Sequence, residues 1–146
     1  MQSEILRYRA DVVSLQECPS EVPLPRLQSE YNLVGSRSSH AGYVHLYILR
    51  TQGDVERVHL PELPVVAGRL QLGASTLDVL AMHLEPHAEG AQERCDQLRT
   101  ALRIVRETAG GTVSSQPRGL VILGDLNVRQ SDVDEHCKAG ASRFGV

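Results

Sequence analysis

Short apolar runs alternate with polar or glycine-containing breaks along most of this chain, and one stretch steps at helical spacing instead. Residues 2–9 predict a short helix with Ile5, Leu6 and Tyr8 turned inward. "DVVSLQE", 11–17, predicts a buried strand ending in polar residues, after which Pro19, Pro23 and Pro25 interrupt regular structure. "GYVHLYILR", 42–50, predicts a strand covered on both faces. Tyr43, His45, Tyr47 and Leu49 share one face, and Val44, Leu46 and Ile48 the other. "VERVHL", "VVAGRLQL" and "STLDVLAMHLE" predict successive strands, with a tight hairpin at Gly73 and Ala74. "GSRSSHAGY", 35–43, reads as a loop by composition. Its Arg37, Ser38, Ser39 and His40 either line a substrate groove or form a plain surface loop.

The clearest helix is predicted over 91–108. Ala91, Cys95, Leu98, Leu102 and Val105 step by four and three into one apolar stripe, with Arg94, Arg99, Arg103 and Arg106 mostly off it. Gly110 and Gly111 end it and open a loop. "LVILGD" predicts a last buried strand, and Ser131 is placed to N-cap a further helix whose acidic first turn, "SDVDEH", is solvated. Hairpin-like strands with covering helices argue for a layered α/β sandwich and against a purely parallel sheet.

Composition narrows the partners. A chain of 146 residues suits one domain, and at 3% aromatics its core must lean on Leu, Val, Ile and Ala. The net charge of −3, with Lys138 the only lysine, excludes a broad basic nucleic-acid footprint. A local arginine contact to phosphate stays open, because the guanidinium forks onto phosphate oxygens. Cys18, Cys95 and Cys137 are too scattered for a disulfide framework or a zinc knuckle, so an intracellular setting, nucleus or cytoplasm, is expected. No signal-peptide-like or membrane-spanning run is expected either.

The candidate chemistry lies at strand ends: Glu17, His83 with Glu85, and Asp125 with Asn127. Taken singly, each has a plain reading. Gly-Asp-x-Asn is ordinary turn chemistry, Glu17 is the first solvated residue after a strand, and His83 is a satisfied core histidine. His83, Glu85 and His87 alternate and could share one strand face as a zinc site, although Pro86 argues that pairing ends there. The serines lack a nucleophile-elbow pattern, and Cys18 beside Pro19 reads as a packed thiol.

In order along the chain, "DVVSLQE" (11–17), "HLE" (83–85) and "GDLN" (124–127) resemble the motifs of the endonuclease/exonuclease/phosphatase superfamily of metal-dependent phosphoesterases. Within it, "HLEPHAEGAQERCDQL" at 83–98, Gly42-Tyr43 before an apolar strand, and Arg129 after "GDLNV" are most similar to the tyrosyl-DNA phosphodiesterase 2 family. The resemblance implies a four-layer α/β sandwich, two mixed β-sheets flanked by helices. It implies Glu17 as a ligand of Mg²⁺ (or Mn²⁺), and Asp125 as the group that orients and deprotonates the attacking water. Asn127 would hold phosphate or nucleophile, His83 would lie near the scissile phosphate and donate to developing charge, and Arg129 would contact the substrate. Arg94 and Gln97 match helix positions for which a structural role, tying the helix to the "HLE" strand end, is expected.

Three departures accompany the resemblance. The family's first-strand asparagine and its late Asp-His pair have no counterpart here, and Pro86 stands where a serine is usual. Residues 1–146 are therefore expected to be a partial, incomplete domain, truncated at both ends. The implied activity is metal-dependent phosphodiester hydrolysis, with 5′ DNA ends carrying tyrosyl adducts as the substrate to test. The alternatives are a generic phosphoesterase on another nucleotide, lipid or inositol phosphate, and an inactive fragment acting as a binding module.

Overall fold

A computed structural model describes residues 1–108 and 118–130. Residues 109–117 and the helix expected from Ser131 lie outside the described residues. Helix α1 (Gln2–Tyr8) leads into strands β1 (Val12–Cys18), β2 (Tyr31–Ser39), β3 (Gly42–Leu49), β4 (Val55–Val58), β5 (Val65–Leu72) and β6 (Ser75–His83). Helix α2 (Ala91–Glu107) and strand β7 (Arg118–Asp125) follow.

The strands form two sheets, ordered β1-β3-β2 and β4-β5-β6-β7. The first is antiparallel throughout, while β7 joins the second parallel to β6 after the α2 crossover. The period of two assigns the layers. Val44, Leu46 and Ile48 of β3 meet Val66, Leu70, Val79 and Ala81 of the second sheet in the space between sheets. Alternate residues Val65, Ala67, Leu80 and Met82 pack under Ala101 and Val105 of α2. On the other outer face, Leu27, Tyr31, Tyr47 and Leu49 are covered by Ile5 and Leu6 of α1 and by Leu24. The order helix, sheet, sheet, helix is the α/β sandwich that the sequence implies. Among the described residues, no helix is long and apolar enough to cross a membrane.

Four sequence readings need correction. Tyr8 is 69% exposed and stacks on Arg7 instead of turning inward. Residues 35–39, read as loop, complete β2, because backbone pairing with β3 as far as Ser39↔Gly42 outweighs their poor strand propensity. On α2 the core-facing side is centred on Arg94, Leu98, Ala101 and Val105, a rotation away from the Cys95–Leu102 stripe. Strand β7 is not buried: it has one partner among the described residues, and Leu120 and Val121 stand 47% and 37% exposed.

Beneath the 19–30 segment, His45 is fully buried and its hydrogen bonds fix its tautomer. Nε2 lies 2.9 Å from the Ser20 carbonyl, which can only accept, so Nε2 carries the proton. Nδ1 then accepts from the Tyr47 hydroxyl at 3.1 Å, and the Tyr47 oxygen accepts from the Leu24 amide at 2.9 Å. Burial pushes the His45 pKa below its ordinary 6.5, against the opposing pull of the Ser20 carbonyl and Glu21. The ring is neutral when folded, so below about pH 6.5 the unfolded chain binds more protons. Stability is therefore complete above that pH and falls as the pH drops through it. Urea midpoints at about pH 7.5 and about pH 5.5 should show this loss, and His45→Gln should show a smaller one. An equal loss in both proteins would remove His45 as its source.

Candidate active site

The site lies at one end of the space between the sheets. On β6 the alternation Val79, Ala81, His83 carries the histidine past the inter-sheet core, and on β7 the alternation Leu123, Asp125 does the same. His83 and Asp125 are register partners, and the Leu84 amide donates to the Asp125 carbonyl at 3.0 Å. On β1 the same period would send Glu17 outward with Val13 and Leu15. A register irregularity between Leu15 and Cys18 interrupts it, with Glu17 at φ 55. Such a bulge re-aims a side chain. Glu17 lies close enough to His83 to act on its charge state.

His83 is 2% exposed, and its Nδ1 is 3.3 Å from Ser39 Oγ. The His40 ring meets it edge-on, centroids 4.2 Å apart. Burial, and then the charge on His40, push the His83 pKa down, while Asp125 and Glu17 pull it up. Asp125 Oδ1 accepts from the Asn127 amide at 2.9 Å, so the plain turn reading holds for that oxygen. Asn127, at φ 49, donates from Nδ2 to the Leu84 carbonyl at 2.9 Å, which turns the amide edge and leaves its oxygen as the remaining acceptor.

The chain after β6 is clamped by two arginines. Buried Arg94 donates to the carbonyls of Glu85 and His87 at 3.0 and 2.6 Å, and Arg129 donates to the Pro86 carbonyl at 2.8 Å. Gln97 accepts from the Glu85 amide at 3.3 Å. The structural role expected of Arg94 and Gln97 is what the geometry has, although Arg94 is buried and not off the covered face.

Gly124 is required where it stands. Its φ is +125, and a Cβ would lie 2.1 Å from the Met82 carbonyl and 2.9 Å from Gln16 Nε2. Gly124→Ala should therefore cost about 2 kcal/mol or more and displace Asp125. A urea midpoint unchanged by the substitution would contradict this close packing.

Glu17, His83, Asp125 and Asn127 thus meet at adjacent strand ends, with Arg129 on the neighbouring loop. The zinc alternative is not assembled: His83 faces Ser39 and His40, while His87 is 72% exposed against Glu85. Cys18 is a buried thiol whose pKa burial raises, as suits packing. The sequence allows Ser39 and His40 either a groove or a plain surface loop, and the structure brings both onto His83. Gly42 after the polar run, opening an apolar strand, was the available sign of a hairpin turn.

The oxygen donors Glu17, Asp125 and Asn127 suit a hard cation. Among the described residues, no three His, Cys, Asp or Glu groups form a metal-holding set by themselves. A cation here would take most ligands from water and substrate, as Mg²⁺ commonly does.

No family model matches the chain, and no curated protein matches it. Solved structures do. Humanized D. rerio TDP2, carrying 14 mutations, is 20% identical with a TM-score of 0.64, covering 91% of this chain and 59% of that one. Truncated Caenorhabditis elegans TDP2 is 25% identical with a TM-score of 0.63, covering 90% and 55%. ANGEL2, a 2′,3′-cyclic phosphatase in complex with adenosine-2′,3′-vanadate, is 20% identical with a TM-score of 0.69, covering 95% and 46%. The chain thus spans 46–59% of the length of these structures. All three are endonuclease/exonuclease/phosphatase proteins, so the resemblance read from the strand-end motifs is borne out in the fold.

Proposed function

We propose that this chain, built on the endonuclease/exonuclease/phosphatase fold, is part of a metal-dependent phosphodiester hydrolase whose site is Glu17, His83, Asp125 and Asn127. One observation carries the reading: strand ends of both sheets converge on one buried imidazole, His83, with Asp125 as its register partner and Ser39 of the other sheet 3.3 Å from its Nδ1. Such a group of acid, base and hydrogen-bonding side chains at a strand-end cleft is expected of chemistry and unusual for packing alone.

Phosphodiester hydrolysis needs the phosphate charge neutralised and a water aimed in line with the leaving oxygen. Glu17 would hold Mg²⁺ (or Mn²⁺), which when bound supplies that neutralising charge. Asp125, with Oδ1 held by the Asn127 amide, keeps Oδ2 to orient the water and take its proton. Asn127 offers its amide oxygen to the nucleophile, its other end being fixed on Leu84. Arg129 stands on the loop beside Pro86, where a guanidinium can meet a phosphate or stack on an aromatic group.

The preferred substrate is a 5′ DNA end carrying a phosphotyrosyl adduct, supported by the sequence likeness around 83–98 and by Arg129. The likeness to ANGEL2 favours a second reading, a phosphoester at an RNA or nucleotide end. Single-turnover assays with Mg²⁺ separate them. Faster cleavage of a 5′-tyrosyl oligonucleotide than of a 2′,3′-cyclic phosphate end supports the first, and the reverse order overturns it.

A further inference from the structure

The proton on the Ser39 hydroxyl decides what His83 can offer a substrate. Ser39 Oγ donates to the Gly42 carbonyl at 3.2 Å, and that carbonyl can only accept. A hydroxyl has one proton, so at 3.3 Å from His83 Nδ1 the Ser39 oxygen is the acceptor and Nδ1 the donor. The neutral ring is then bare at Nε2. Nε2 has no hydrogen-bond partner among the described residues. It is not sealed either, since Ser36 Oγ is the only fully buried, unpartnered side-chain polar atom among them. His40, edge-on at 4.2 Å, restrains the ring from a second direction. The hairpin that aims the Gly42 carbonyl needs glycine, for φ is +128 and a Cβ would lie 2.6 Å from the Cys18 carbonyl.

We infer that Ser39 is a positioning residue that fixes neutral His83 as the Nδ1–H tautomer, so that the imidazole meets the substrate as a hydrogen-bond acceptor at Nε2. This deepens the phosphodiesterase reading and rests on it. It also changes the role the family resemblance implies: a bare Nε2 repels a non-bridging phosphate oxygen and accepts from a water or a substrate hydroxyl. The group it engages carries a proton.

The test is the ¹⁵N spectrum of the His83 ring at about pH 8, where an imidazole is neutral. His83→Gln identifies the resonances. The wild-type chain should show a protonated Nδ1 and a bare Nε2. Ser39→Ala should move the proton to Nε2 or mix the tautomers, and Ser39→Thr should restore the wild-type pattern. In turnover, Ser39→Ala should lower kcat about tenfold with KM little changed, and Ser39→Thr should recover it. A wild-type ring protonated at Nε2, or a tautomer indifferent to Ser39→Ala, overturns the inference. The spectrum needs no substrate. The Nδ1–H tautomer without any phosphodiester turnover would support the role of Ser39 and count against the phosphodiesterase reading alone.

Discussion

If Asp125 is the base of the proposed hydrolase, Asp125→Ala should lower metal-dependent phosphodiester hydrolysis by about 10²–10⁴-fold, the range for loss of a general base. The fold survives it. Asp125 is exposed, and the only hydrogen bond its side chain makes among the described residues is the one from the Asn127 amide. Losing that bond costs about 1 kcal/mol. Asp125→Asn separates the two roles of this side chain. The asparagine can still accept from the Asn127 amide and hold the turn, but it cannot take a proton. Equal losses of kcat in the two variants, with circular dichroism unchanged, fit Asp125 as the base. Activity retained by the asparagine variant would move that role to another group.

The largest effect on stability is expected far from this site, at Asp78 on β6. Asp78 is 2% exposed and accepts from Arg69 Nε at 2.8 Å on one oxygen and from Arg118 on the other. Both arginines continue to the end of α2. Arg69 reaches the Thr108 carbonyl at 3.1 Å, and Arg118 reaches that of Val105 at 2.8 Å. One carboxylate therefore joins β5, β6 and β7 to the helix C-terminus, where cations are favoured. Asp78→Ala should cost about 3–5 kcal/mol, because it strands the Arg69 charge, whose side chain is only 14% exposed. Arg118, at 31%, can turn to water, so Arg118→Ala should cost less. Urea denaturation of the three proteins measures the order. A loss below about 1 kcal/mol for Asp78→Ala would class the cluster with surface ion pairs.

Local patterns are legible in the sequence, and contacts set by tertiary pairing are not. The strands from 42 to 83 were legible because alternation and glycine turns are local signals, and β3, covered on both faces, reads as a continuous apolar run. Residues 35–39 were not, since Ser and Gly gain strand geometry only by pairing with β3. Arg94 was misplaced because a buried arginine satisfied by two carbonyls looks, in sequence, like any solvated one. The strand-end motifs point to Glu17, His83, Asp125 and Asn127 because each motif is a local run of residues. The bulge that re-aims Glu17 and the Ser39 hydroxyl against His83 depend on tertiary register, which no periodicity encodes.

We propose that these strand ends form the site of a metal-dependent phosphodiester hydrolase. The most direct test is the initial rate of the wild-type chain on a plain phosphodiester, with EDTA and after excess Mg²⁺ or Mn²⁺ is restored. No turnover is expected in EDTA, and recovery is expected with either cation. Turnover that persists in EDTA, or a folded chain inactive with both cations, would contradict it.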